Sequence, residues 1–203
     1  LGLGLAVLVT ITQIDGNLRR QFLAALPERA PSFFFIDIQP DQLAGFLDRL
    51  AADPGAHEVE TAPSLRGIIT AINDIPAQQW GDHWVLRGDR GVSFAAAPPP
   101  GTALTAGDWW ADDYTGPPLV SFGATEAAEL GLTLGDRITV NILGRDITAT
   151  VANFRQLDFR SGGIGFVMIF DAASLGAAPH THIATVHADP GAEGRIEIGR
   201  AHV

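Results

Sequence analysis

Two histidines separated by one residue, His180-Thr181-His182, place two imidazoles on the same side of an extended segment, a spacing that some zinc sites use. Such sites take three or four protein ligands, and no Asp, Glu or His cluster of matching spacing accompanies this pair. Pro179 in front of it marks a loop, so satisfied or solvated histidines are the simpler reading. Asp108, Asp112 and Asp113 have the chemistry of paired carboxylates or of a calcium loop. Their spacing misses the alternating oxygen ligands and closing Glu of an EF-hand, which leaves solvated loop acids. Ser121, Asp112 and His83 can be written as nucleophile, acid and base. No Gly-x-Ser-x-Gly elbow carries a serine, however, and a chain of this length offers many such triples. Ser161-Gly162-Gly163-Ile164-Gly165 has the glycines of a phosphate cradle without a following Lys-Ser/Thr pair or a clear helix, and a turn between strands accounts for it.

Trp109, Trp110 and Tyr114 lie between two proline-rich brackets, Pro98-Pro99-Pro100-Gly101 and Gly116-Pro117-Pro118. They read as a ligand face, as an inter-domain contact, or as large apolar anchors for an irregular loop. No catalytic constellation survives this weighing, so the sequence assigns no catalytic, cofactor-binding or metal-ligating residue, and neither enzymatic activity nor a cofactor is expected.

The composition narrows the field further. The 203 residues carry a net charge of −10 from 23 acids and 13 bases, and every base is an arginine. Arginines scattered over an acidic chain make a poor phosphate-binding surface, which argues against nucleic acid as a partner. The absence of cysteine removes a disulfide framework, thiolate metal sites and a cysteine nucleophile. With 46% hydrophobic and 18% charged residues the chain has the makings of an apolar core and no signature of disorder.

The elements that would position these residues fall into two groups. Phe33-Phe34-Phe35-Ile36-Asp37-Ile38 reads as a buried strand, and Gln39-Pro40-Asp41 opens a helix with Leu43, Phe46, Leu47 and Leu50 on one face, stopping at Asp53-Pro54-Gly55. Residues 57–62 and 64–72 alternate as two further strands, with Asn73-Asp74 as a turn. This predicts a small α+β layer near 31–80. Residues 95–118 read as irregular. A β-rich part near 84–188 follows: strand 119–122, a short helix 126–130 closed by Gly131, a turn at Leu134-Gly135-Asp136, strands 137–143 and 147–154 around Gly144-Arg145-Asp146, and strands 165–170 and 182–187.

Both ends have a different character. Leu1 to Ile14 carries no charge and, though shorter than a full span of about 20 residues, reads as the last part of a membrane helix covering 1–18. Arg19 and Arg20 next to it pull toward a cytoplasmic side under the positive-inside tendency. After Asp189-Pro190-Gly191 the composition changes, and residues 194–203 read as a non-native or truncated tail, which leaves 19–193 as the folded domain.

Several segments together resemble the permease subunits of FtsX/MacB-like ABC transporters. They are Leu1 to Leu18, Ala30 to Gln39, Arg87-Gly88-Asp89-Arg90-Gly91, Gly107-Asp108-Trp109-Trp110, Gly116 to Phe122, Gly131 to Asp136, Val140 to Ala149, and Ala178-Pro179-His180-Thr181-His182. The likeness runs to about Asp189. It implies an α+β fold of the MacB-like periplasmic core kind, with a strand-helix-strand layer and an inserted β-rich subdomain, preceded by the end of a transmembrane helix. It further implies a bacterial inner-membrane protein whose domain faces the periplasm. A separate cytoplasmic ATPase would be its partner, and lipid, lipoprotein or peptide its cargo. The alternative is a soluble periplasmic module that binds lipid or peptide with no transport role.

Overall fold

The computed structural model describes residues 31–157, 164–189 and 191–192. The membrane-helix reading of 1–18 and the tail reading of 194–203 fall outside them. Among the described residues no helix is long and apolar enough to cross a membrane.

The first layer is built from β1 (Phe33–Ile38), α1 (Pro40–Ala52) and β2 (Ala56–Ile72). Pro40 occupies the first helical turn, where its missing N–H costs nothing, and the Gln42 side chain accepts the Gln39 N–H at 3.2 Å. The helix ends where the Asp53 carboxylate accepts the Gly55 N–H at 2.9 Å and turns the chain into β2. Alternation along β1 sends Phe33 and Phe35 to the helix side, and the Phe35 and Phe46 rings meet edge-on at 5.0 Å. Leu50 and Val186 complete this small core, while Phe34 and Ile36 on the opposite face stay exposed.

Val186 comes from β10 (Thr181–Ala188), the last strand, which lies between β1 and β2 and is antiparallel to both. The small layer therefore needs both ends of the described chain. β2 is also longer than the sequence suggests. Residues 57–62 and 64–72 belong to one strand of 17 residues, with Pro63 inside it opposite His182. Pro63 has no N–H to give the ladder, its carbonyl accepts the Ser93 hydroxyl at 2.8 Å, and the strand changes sheets just beyond it.

The second half of β2 is one stave of a closed barrel. The others are β4 (Arg90–Ala95), β6 (Leu119–Gly123), β7 (Arg137–Ile142), β8 (Arg145–Arg155) and β9 (Met168–Asp171). Around the ring β2 pairs β4, β4 pairs β9 in parallel, β9 pairs β6, β6 pairs β8 in parallel, β8 pairs β7, and β7 returns to β2. Two short strands sit outside it: β3 (Ile75–Pro76) on β2, and β5 (Leu104–Gly107) on the far end of β8. Ile69, Val92, Val120, Phe122, Ile138, Val140, Val151, Met168 and Phe170, each at most 1% exposed, fill the interior. Gly67 lies where β4 and β7 flank β2 most closely. A Cβ there would stand 2.8 Å from Val140 and 2.9 Å from Ile142.

Two short helices stand at opposite ends of the barrel, because β6 and β9, which feed them, run antiparallel. After β6 comes α2 (Ala124–Leu130), which puts Ala127 and Leu130 into the core and ends at Gly131 with φ 68°. After β9 comes α3 (Ala172–Leu175), whose Leu175 enters the core from the other side. The sequence reading anticipates α2 but not α3, β4 or β5, and its strand over 165–170 begins only at Met168. The whole is a mixed α+β domain with a large mixed sheet and few helices.

Candidate functional site

At the α3 end of the barrel three segments enclose a cleft of about 610 Å³. One wall is the β7–β8 hairpin, whose two-residue turn Leu143-Gly144 has φ of 50° and 81°, the left-handed pair of a tight hairpin. The turn leaves Leu143 62% exposed at the tip, and Ile142, Ile147 and Arg145 face the cleft beside it. The second wall is α3 and the chain after it, with Leu175, Ala178 and Pro179, and Pro118 closes the third side. Asp171 holds α3 in place. Its carboxylate accepts the Ser174 N–H at 2.9 Å, the Ser174 hydroxyl at 2.6 Å and the Leu119 N–H at 2.8 Å, which ties β9, α3 and β6 together.

His180 and His182 follow directly on this wall. Their rings lie 5.1 Å apart at 67°, and the Phe94 ring meets His180 edge-on at 5.0 Å. The Nδ1 of His180 is 2.7 Å from the Ala178 carbonyl. The Nδ1 of His182 is buried and finds no partner among the described residues. Burial, reinforced by the His180 imidazole, pushes the His182 pKa below the ordinary histidine value. The pair is thus neither fully satisfied nor simply solvated, which a loop reading from Pro179 does not anticipate. Among the described residues no group of three or more His, Cys, Asp or Glu side chains gathers as a metal centre.

The remaining sequence candidates are kept apart. Ser121 is wholly buried, and its hydroxyl and carbonyl accept from Arg155 Nη1 at 3.1 and 2.9 Å. His83 instead contacts Glu129 at 2.7 Å, and Asp112 is exposed on its loop. The three therefore have different partners. Asp108 and Asp113 are exposed as well. Trp109 and Trp110 stack at 4.3 Å and donate their indole N–H groups to the carbonyls of Ala96 and Ala95, each at 3.0 Å. The Tyr114 hydroxyl donates to Pro117 at 2.7 Å. Each aromatic has its polar tip spent on backbone, and Trp110 is buried, so they anchor the 95–118 loop on β4. Of the glycine-rich run, Ser161 to Gly163 fall outside the described residues.

Sequence reasoning misses the buried guanidinium of Arg155. It also donates to the carbonyls of Phe166 and Val167, and only 4% of the residue is exposed. Burial pulls its pKa down to about 10, against the opposing pull of the nearby Glu126 carboxylate. Glu126 is buried on α2 with Oε2 unpartnered among the described residues. The signal available beforehand was alternation, which puts Arg155 on the same face of its strand as Ala149 and Val151.

No family profile matches the chain. Over 182 residues, 88% of its length, it is 27% identical to an uncharacterised ABC transporter permease of Escherichia coli K12, YbbP. The chain spans 22% of the length of that relative. A crystallised domain of a Porphyromonas gingivalis protein, provisionally assigned as a permease, superimposes over 83% of this chain and 73% of its own, with 18% identity and a TM-score of 0.40.

Proposed function

We propose that residues 19–193 are the periplasmic domain of an FtsX/MacB-like ABC transporter permease subunit, with 1–18 as the end of the membrane helix that carries it. Its α+β part, near 31–80, is completed by β10, and its β-rich part, near 84–188, by the second half of β2. In this reading the domain is non-catalytic. A separate cytoplasmic ATPase drives the membrane helices, and the domain couples their movement to the export or extraction of a lipid, lipoprotein or peptide. The observation that carries the proposal is the 27% identity to an ABC transporter permease along 88% of the chain. The continuous β2 is consistent with it, since a strand common to both sheets moves them together.

Membrane topology tests the reading. A reporter fused after Leu26 and another near Pro190 of the full-length gene product are both expected to be active outside the cytoplasm, and the protein to co-purify with an ATPase subunit. Cytoplasmic signals, or a product that fractionates as fully soluble, would overturn it. The cleft of about 610 Å³ favours one other reading, a soluble periplasmic module that binds lipid or peptide. Soluble fractionation with retained lipid or peptide would select that reading.

A further inference from the structure

We propose that His180 and His182 form a two-imidazole site for a divalent transition-metal ion of the zinc or copper class, at the point where β10 enters the sheet. The inference is independent of the transport reading above.

The spacing of the rings is the first argument. A ring nitrogen bonded to zinc at about 2.0–2.1 Å, in tetrahedral geometry, sets two imidazoles on one ion with ring centroids about 5 Å apart. The observed separation is 5.1 Å, with the rings inclined at 67° rather than stacked.

The second argument is the proton inventory. A carbonyl only accepts, so the 2.7 Å contact to Ala178 places the proton of His180 on Nδ1 and leaves Nε2 with a free lone pair. An Nδ1–H held by a backbone carbonyl is the arrangement that orients metal-bound histidines. His182 supplies the complementary feature, a buried Nδ1 with no partner among the described residues. A buried polar atom left unpaired calls for a water or an ion, and here a second imidazole stands beside it.

The third argument is rigidity. His182 pairs with Ile38 of β1 on one side and Pro63 of β2 on the other, and the edge of Phe94 holds the His180 ring. His182 is thus set by the sheet, and His180, just ahead of β10, by the Phe94 ring and the Ala178 carbonyl. With two protein ligands, fewer than the three of open zinc sites, the other coordination positions are left to water or an incoming group.

The test is calorimetric titration of the full chain, free of any polyhistidine tag, with zinc chloride and separately with copper(II) chloride, followed by electron paramagnetic resonance of the copper form. One equivalent of at least one ion should bind, with nitrogen coupling from two imidazoles. Affinity should fall roughly tenfold or more in both His180→Ala and His182→Asn, and stay unchanged in His57→Ala and His83→Ala. Circular dichroism establishes that each variant is folded. Absence of saturable binding of either ion to the unmodified chain overturns the proposal. So does binding that survives in folded variants lacking both His180 and His182.

Discussion

Asn73 and Asp136 clasp each other across the mouth of the barrel. The Asn73 amide donates to Asp136 Oδ1 at 3.0 Å, while its own carbonyl oxygen accepts the Arg137 N–H at 2.9 Å. Asp136 uses its other oxygen to accept the Thr133 N–H at 2.7 Å and the Thr133 hydroxyl at 3.1 Å. One carboxylate thus joins the β2–β3 turn to the loop before β7.

These bonds dictate a pH dependence. Burial acts to raise the Asp136 pKa, but the Thr133 backbone, the Asn73 amide and the Thr133 hydroxyl outweigh it and hold the pKa below 3.8. A carboxyl whose folded pKa is lowered stabilises the fold fully above its unfolded value and loses that contribution as pH falls through the folded value. Asp136→Asn is expected to cost about 0.5–1 kcal/mol at pH 7, since solvent screens this partly exposed carboxylate. Urea unfolding at several pH values should show the gap to the unmodified protein narrowing as pH drops below about 3.8.

Arg155 is the second target. Shortening it to Ala strips the donors from the carbonyls of Ser121, Phe166 and Val167 and leaves Glu126 without its nearby cation. A loss of about 3–5 kcal/mol is expected in chemical denaturation. Arg155→Lys should recover only part of it, since one ammonium cannot reproduce the fork. A cost under about 1 kcal/mol for Arg155→Ala would show that the acceptors are readily satisfied by water.

Glycines at similar φ should respond differently to alanine. Gly107 has φ 73° and Gly101 φ 72°, but a Cβ at Gly107 would lie 2.2 Å from the Ala152 carbonyl oxygen, while none meets anything within 4 Å at Gly101. Gly101→Ala is expected to cost about 1 kcal/mol from backbone strain alone. Gly107→Ala should cost at least about 2 kcal/mol and detach β5 from β8, visible as faster amide exchange in residues 104–107.

Trp110 distinguishes an anchor from a ligand face. As a buried ring fixed to Ala95, it should cost about 3–5 kcal/mol when cut to Ala, and half-buried Trp109 should cost less. If thermal stability were unaffected by either change, these rings would instead be free for a ligand.

Elements governed by local pattern were legible in the sequence. The Phe33–Ile38 strand, the helix opened by Pro40, and the turn at Asn73 and Asp74, with φ of 49° and 62°, follow from aromatic and β-branched content, helix-start signals and turn chemistry, although the strand reads as buried and leaves Phe34 and Ile36 exposed. Relationships between distant residues were not. Pro63 reads as a break because proline cannot donate to a ladder, and nothing nearby reveals that Ser93 takes its carbonyl. The strand β4 hides in Arg90–Ala95 because it is short and gains its stability from Met168 to Asp171, about 76 positions on. The same limit applies to the candidate site. His180 and His182 announce themselves by spacing, but the buried Nδ1 and the Ala178 contact arise only from folding.

The position of β10 bears on how the chain leaves the ribosome. Ser32 exchanges hydrogen bonds with Ala188, 156 positions away, and β1 has β10 as its only paired neighbour among the described residues. Phe33 and Phe35 are therefore made well before Ala184 and Val186, the residues they pair with. Until β10 is made the nascent chain carries an aromatic, unpaired edge, the kind of surface on which holding chaperones act and on which premature termination leads to aggregation.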